Sequence, residues 1–333
     1  MNPLVFALLR SGLWERSLTD SELAAAAALG EAEWAALVEI ARRQTVSGLL
    51  YRAITHLPAD FRIPGDFVLG LMSVAGGLAR ENQAKAAITD QIFAECAAAG
   101  LHPVVMKGQS VAAYYVHPEL RYSGDIDLYF PPKEYPRALT QLGGEIAPDG
   151  TRHIRRNGID IDIHDRYFDL HCPDSQLPAV GTPEATILLL SSHILKHAIG
   201  PGVGLRQCCD IAVAWQALAP SINPQEMLEI FRQTGTLRWN RLLFSFLAEY
   251  LGVPETLFAD ERVSSDPLLR IILEGGNFGH HAEARAEALR ADDRKRKRNT
   301  FSRFLHRLPF SLHYAPRETI ATIHGLIRGN LCD

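Results

Sequence analysis

The sequence predicts an α+β protein dominated by helix, with a small mixed β-sheet core between N-terminal and C-terminal helical regions. Three observations carry this. Helical apolar spacing fills residues 1–100 and resumes after Thr182. Between them lie two short runs of two-residue alternation, Asp125–Phe130 and Ile159–Ile163. Asn157-Gly158 joins Arg152–Arg156 to the second run in the pattern of a tight hairpin. The expected organisation is 1–100 helical, 101–180 α/β core, 181–285 helical and 286–333 a basic C-terminal segment.

Each element has its own signal. Ser21–Arg43, rich in Ala and Glu, places Leu23, Leu29, Trp34, Leu37 and Ile40 near helical spacing, with Thr19 or Ser21 as cap. Asp66–Ala99 is a second long helix that stops at Gly100. The texture changes at His102. Pro103–Met106 reads as a strand ending at Lys107-Gly108, Ser110–Val116 as a helix stopped before Pro118, and 135–143 as a further helix. From Thr182 helices are expected over 183–199, 205–219, 224–234, 236–251 and 267–274.

Composition narrows the class. Of the 333 residues, 47% are hydrophobic and 22% charged, spread along the whole length, which excludes a disordered chain. The longest apolar stretch, Ala185–Leu195, is far short of the roughly 20 residues a membrane helix needs. The N-terminus carries no basic residue ahead of its apolar stretch, unlike a secretion signal, and five cysteines without framework spacing, two of them adjacent, fit a reducing cytoplasm. A net charge of −4 argues against general nucleic-acid binding. Residues 290–307 depart from that balance, with eight Lys/Arg and two Asp against 26 Lys/Arg and 36 Asp/Glu elsewhere. An acidic partner at this segment, or docking on the protein itself, are both open readings.

The chemistry lies in the alternating runs. Side chains at i and i+2 share a strand face, so Asp125, Asp127 and Tyr129 stand opposite Ile126, Leu128 and Phe130. Asp160, Asp162 and His164 likewise stand opposite Ile159, Ile161 and Ile163. If the two strands are neighbours, four carboxylates converge, and hard divalent cations with oxygen ligands are what relieve such a cluster. Just upstream, a strand turns through Lys107-Gly108-Gln109-Ser110 into a helix, where Gly allows close backbone approach and Ser110 adds a hydroxyl.

Gly108-Gln109-Ser110, then Asp125-Ile126-Asp127, then Asp162-Ile163-His164 resemble the DNA polymerase β-type nucleotidyltransferase superfamily. The stretch VVMKGQSVAAYYVHPELRYSGDIDLYF is similar, more closely, to the bacterial uncharacterised nucleotidyltransferase family, as are the His193/Lys196-His197 helix, Leu205-Arg206…Asp210 and Gly276-Asn277-Phe278-Gly279. The resemblance implies a nucleotidyltransferase core that moves a nucleoside monophosphate from an NTP to a hydroxyl acceptor, whether a small metabolite, a peptide or a protein. It implies Mg²⁺ or Mn²⁺ on Asp125, Asp127 and Asp162, with ATP ahead of the other NTPs, and phosphates at Gly108 and Ser110. Two departures stand out: a Gly-Gln-Ser turn in place of Gly-Gly-Ser or Gly-Ser, and a longer gap to Asp125 than the superfamily commonly shows.

Further residues have two readings each. Lys107 neutralises a phosphate or reaches solvent, and Arg121 clamps a triphosphate or braces a carboxylate. His197 and Arg206 line the nucleotide or acceptor cleft, or pack. His193 and His197 have zinc-compatible spacing, yet no third ligand follows. Against the enzyme stands a degenerate, antitoxin-like module that binds nucleotide or a partner without turnover; the three retained carboxylates favour the enzyme.

Overall fold

The computed structural model describes residues 3–143, 145–146, 152–200, 202–254, 257–275 and 293–327. Gly276–Gly279 and residues 290–292 lie outside them. The chain opens with α1 (Leu4–Trp14), α2 (Asp20–Ala27), α3 (Glu31–Arg43), α4 (Ser47–Thr55) and the long α5 (Phe67–Ala98). Where the sequence predicts one helix over Ser21–Arg43, there are two. Thr19 caps α2 in a capping box with Glu22, and Gly30, in extended backbone, starts α3 with Glu33 accepting from its N–H. The Ala run propagates helix, but Gly30 ends it.

The middle of the chain runs β1 (Val104–Val105), α6 (Gln109–Ala112), β2 (Ile126–Tyr129), α7 (Tyr135–Leu142), β3 (Glu145–Ile146), β4 (Arg152–Arg156) and β5 (Ile159–His164). Ser110–Val116 does not continue as a helix. After one turn Tyr115 aims its hydroxyl at Asp210, and Pro118 opens a 3₁₀ turn over Pro118–Leu120. Asn157 (φ 50°) and Gly158 (φ 81°) form the two-residue turn that pairs β4 with β5, with Arg156 opposite Ile159.

The five strands form one mixed sheet in the order β1-β2-β5-β4-β3. Only β2 and β5 run parallel, and their register sets Asp127 beside Asp162. The apolar face carries Ile126, Leu128, Phe130, Ile161 and Ile163, buried against Ile88, Ile92 and Cys96 of α5 and Ala138 and Leu142 of α7.

The remainder is helical: α8 (Pro183–Ile199), α9 (Leu205–Leu218), α10 (Pro224–Gln233), α11 (Leu237–Leu251), α12 (Asp266–Gly275), α13 (Asp293–Tyr314) and α14 (Pro316–Ile327). Helices α8 to α12 share one hydrophobic core with α1, α3 and α4, and Phe310 and Tyr314 of α13 pack against it. Phe6 stacks near Phe246 and Tyr250, and Trp14 Nε1 donates to Leu251 O at 2.6 Å. The basic segment is helical from Asp293, and its end docks on the protein. Phe304 is buried, and Arg307 donates to the carbonyls of Ala198 and Gly200 at 3.1 and 2.9 Å, satisfying the C-terminus of α8. Arg307 is therefore a packing residue, not part of a surface patch. Among the described residues no helix is long and apolar enough to cross a membrane.

The crossing of α1 and α4 depends on Gly12, where an added Cβ would stand 1.9 Å from Leu49 O. Gly12→Ala forces the helices apart and should cost about 1–3 kcal/mol, read as a lower denaturation midpoint. Gly70, in α5, has nothing within 4 Å of an added Cβ, so Gly70→Ala should instead stabilise by roughly 0.5–1 kcal/mol. Equal effects at the two positions would show that the close approach is not what Gly12 provides.

Candidate active site

The second sheet face is polar, and it looks across a cavity of about 350 Å³ toward α8 and α9. Asp125, Asp127, Asp162 and His164 line the sheet side; His193, Lys196, His197 and Arg206 line the helix side. The sheet side follows from strand alternation. Burying Ile126, Leu128, Ile161 and Ile163 turns Asp127, Asp162 and His164 toward the cavity.

Asp127 is the most enclosed of these carboxylates, at 8% exposure. Its Oδ1 lies 2.8 Å from His164 Nε2 and 3.2 Å from Lys107 Nζ. Burial alone would raise its pKa, but Lys107 and His164 outweigh that and hold the carboxyl well below the usual carboxylate range. Asp162 has the opposite balance. Burial, with Asp125 and Asp127 close by, pushes its carboxyl up to about 6, although His153 Nδ1 sits hydrogen-bonded to its Oδ1. Asp127, Asp162 and His164 each present a ligand atom within 4.8 Å of the others. Two hard carboxylates and an imidazole at that spacing suit a divalent cation. Asp125 lines the same cavity at the exposed start of the strand, outside this tight group.

Asp160, two residues before Asp162 on the same strand face, does not line the cavity and pairs at 3.3 Å with Arg155, both well exposed. Gly108 lines the cavity with φ 65°, left-handed backbone that favours glycine. Ser110 is not part of the wall. Gln109 anchors the turn rather than a ligand, because its Oε1 accepts from Thr89 Oγ1 at 2.6 Å and ties this segment to α5.

On the helix side, burial and then Lys107 push His197 down to about 3, and burial likewise holds His193 well below its ordinary value, so both imidazoles are neutral at pH 7. Their rings lie 4.5 Å apart, edge to face. Lys196 pairs at 3.2 Å with Asp169, another cavity residue. Arg206 stands 3.8 Å from Asp210 Oδ2.

Arg121 braces a carboxylate. Its Nε and NH2 donate to the two oxygens of Asp210, each at 2.7 Å, and its NH1 donates to Tyr122 O at 3.1 Å. Tyr115 Oη donates to Asp210 Oδ1 at 2.8 Å. All of the guanidinium nitrogens are thus engaged within the protein, and the fork ties the approach to β2 to α9. Sequence reading overlooked His153, Tyr115 and Asp169. His153 had a signal, because a two-residue turn at 157–158 places it opposite Asp162; Tyr115 and Asp169 had none.

Removing one partner of a buried ion pair strands the other. Arg121→Ala should therefore cost about 3–5 kcal/mol, read by denaturant unfolding. Arg121→Lys should not restore it, since an ammonium cannot span both carboxylate oxygens. Near wild-type stability of either variant would show that the pair is dispensable.

One family model matches this chain. Described as an uncharacterised nucleotidyltransferase, it matches residues 30–252, which include every cavity residue named above. Comparison with curated proteins and with solved structures gives no match. The match spans about two-thirds of the 333 residues, and the chain belongs to the uncharacterised nucleotidyltransferase family.

Proposed function

We propose that this cavity transfers a nucleoside monophosphate from an NTP, ATP first, to a hydroxyl acceptor, with release of pyrophosphate. One observation carries the reading: Asp127 and Asp162 stand in register on parallel strands, with His164 beside them, facing a helix wall that holds Lys196 and Arg206. An acidic wall opposite a basic one suits a substrate that is itself a polyanion accompanied by cations.

Asp127 and Asp162, with Asp125 at the rim, would hold Mg²⁺ or Mn²⁺. When bound, such an ion lowers the pKa of an acceptor hydroxyl and offsets charge on the departing pyrophosphate. The chain's own groups do the rest. Lys107 and Arg206 attract and orient the triphosphate as point charge and fork, beside the backbone of Gly108. Asp162, oriented by His153, takes the acceptor's proton as its oxygen bonds to the α-phosphorus. The bond from that phosphorus to the bridging oxygen breaks, and the electron pair leaves with pyrophosphate. The neutral His193 and His197 offer polar contacts without adding repulsion toward Lys107. The free thiols of Cys96, Cys172, Cys208 and Cys209 suit a reducing compartment, in keeping with a cytoplasmic enzyme.

Incubating the protein with each α-labelled NTP, Mg²⁺ or Mn²⁺ and a cell extract should label one fraction of that extract, which identifies the acceptor class. Asp127→Asn should abolish divalent-dependent labelling while keeping a cooperative thermal transition. Full activity of that variant across a Mg²⁺ titration would remove Asp127 from the metal site.

Asp162→Ala should lose about a hundredfold or more in kcat/KM, the scale of a lost general base. Asp160→Ala, at the exposed Arg155 pair, should stay within about threefold of wild type, since such surface groups contribute little. The reverse ranking would put the wrong carboxylate of the strand in the site.

A further inference from the structure

Tyr122 stands in the cavity wall with 41% of its surface exposed, three residues before Asp125. The backbone beneath it is fixed on every side. Asn82 Nδ2, from α5, donates to the carbonyls of Glu119 and Arg121 at 2.8 Å each. Arg121 NH1 donates to Tyr122 O at 3.1 Å, and the buried Lys85 Nζ donates to Ser123 O at 2.6 Å. Three successive carbonyls are thus each taken by a side chain, and two of those side chains, Arg121 and Lys85, are buried charges.

Tyr122 belongs to neither hydrophobic core, so this support holds a ring with two-fifths of its surface open. Its physical effect is to hold an aromatic face ready at the cavity's edge. A planar ligand group that stacks there orders no loop, and the ring's own freedom is small, so most of the contact energy goes into binding. Gly124 follows with nothing within 4 Å of an added Cβ, which keeps the space between Tyr122 and Asp125 open.

We infer that Tyr122 is the stacking platform for the nucleobase of the bound NTP. This rests on the nucleotidyl-transfer reading above. The charged walls, with Lys107, Lys196 and Arg206 among them, suit the polyphosphate; the uncharged planar end of the same molecule then meets the wall's aromatic ring. A hydroxyl acceptor need carry no planar group at all, whereas every NTP does.

The test compares two ligands that share the polyphosphate and differ in the base. Full-length wild type, Tyr122→Ala and Tyr122→Phe are titrated by calorimetry, in Mg²⁺, with each of the four NTPs and with inorganic tripolyphosphate. Tyr122→Ala should weaken the tightest-binding NTP by about tenfold, within the range of one base–aromatic stack, and leave tripolyphosphate affinity unchanged. Tyr122→Phe should retain both. Unchanged NTP affinity in Tyr122→Ala, with tripolyphosphate still bound, would overturn the stacking assignment alone. Equal loss of both ligands would overturn it too, assigning Tyr122 to the shape of the loop. Wild type that binds neither tripolyphosphate nor any NTP would overturn the nucleotide reading itself, and the platform with it.

Discussion

A guanidinium and a carboxylate, both withdrawn from water, join the two parts of this molecule. Arg121 leads into the strand that carries Asp125 and Asp127; Asp210 sits on α9, beside Arg206. Neither charge is tolerable alone at that depth, so the sheet and the helical body keep one relative placement or leave an unpaired buried ion. The cavity is the space left between them. Its two walls belong to different hydrophobic cores, and the distance across it is set by this fork together with the Tyr115 hydroxyl.

The sheet supplies a second constraint. Its apolar face is closed by α5 and α7, which forces the carboxylates onto the other face whatever their mutual repulsion. That repulsion is managed locally. Lys107 and His164 flank Asp127, and His153 flanks Asp162. The consequence is an asymmetric pair, one carboxylate firmly ionised and the other pushed up to about 6, on adjacent strands of one sheet. α5 serves both sides of this arrangement: it packs under the sheet, and through Asn82, Lys85 and Thr89 it fixes the two loops that border the cavity.

Much of this was legible in the sequence where local physics decides the outcome. Asn157-Gly158 dictates a hairpin because both residues accept positive φ, and alternation in Asp125–Phe130 dictates which side chains share a face. The long α5 and α8 follow from helical periodicity, α5 stopping before Gly100 and α8 starting after Thr182, whose hydroxyl caps it. Legibility fails where partners are distant. Arg121 and Asp210 are 89 residues apart, so the sequence left open whether the guanidinium holds a carboxylate or a phosphate. The break at Gly30 was hidden by the Ala run beside it, since Ala favours helix but does not decide where one ends. Arg307 read as one charge in a basic stretch, because nothing local announces that α8 ends where that side chain can reach it.

The packing of α1 against α11 bears on how the chain is made. Arg10 and Tyr250, in contact through a hydrogen bond, are 240 residues apart. On the ribosome α1 emerges with its apolar residues uncovered; Leu8 and Leu9 meet Leu37 and Leu50 of α3 and α4 early, but the ring partners of Phe6 on α11, Phe246 and Tyr250, appear only after the whole sheet has been synthesised. At roughly 5–20 residues per second that interval is ten seconds or more, ample time for the sheet and α5 to assemble first. Nascent chains therefore hold α1 against α3 and α4 with the Phe6 side still open beside an α/β unit, and α11 closes over that side late.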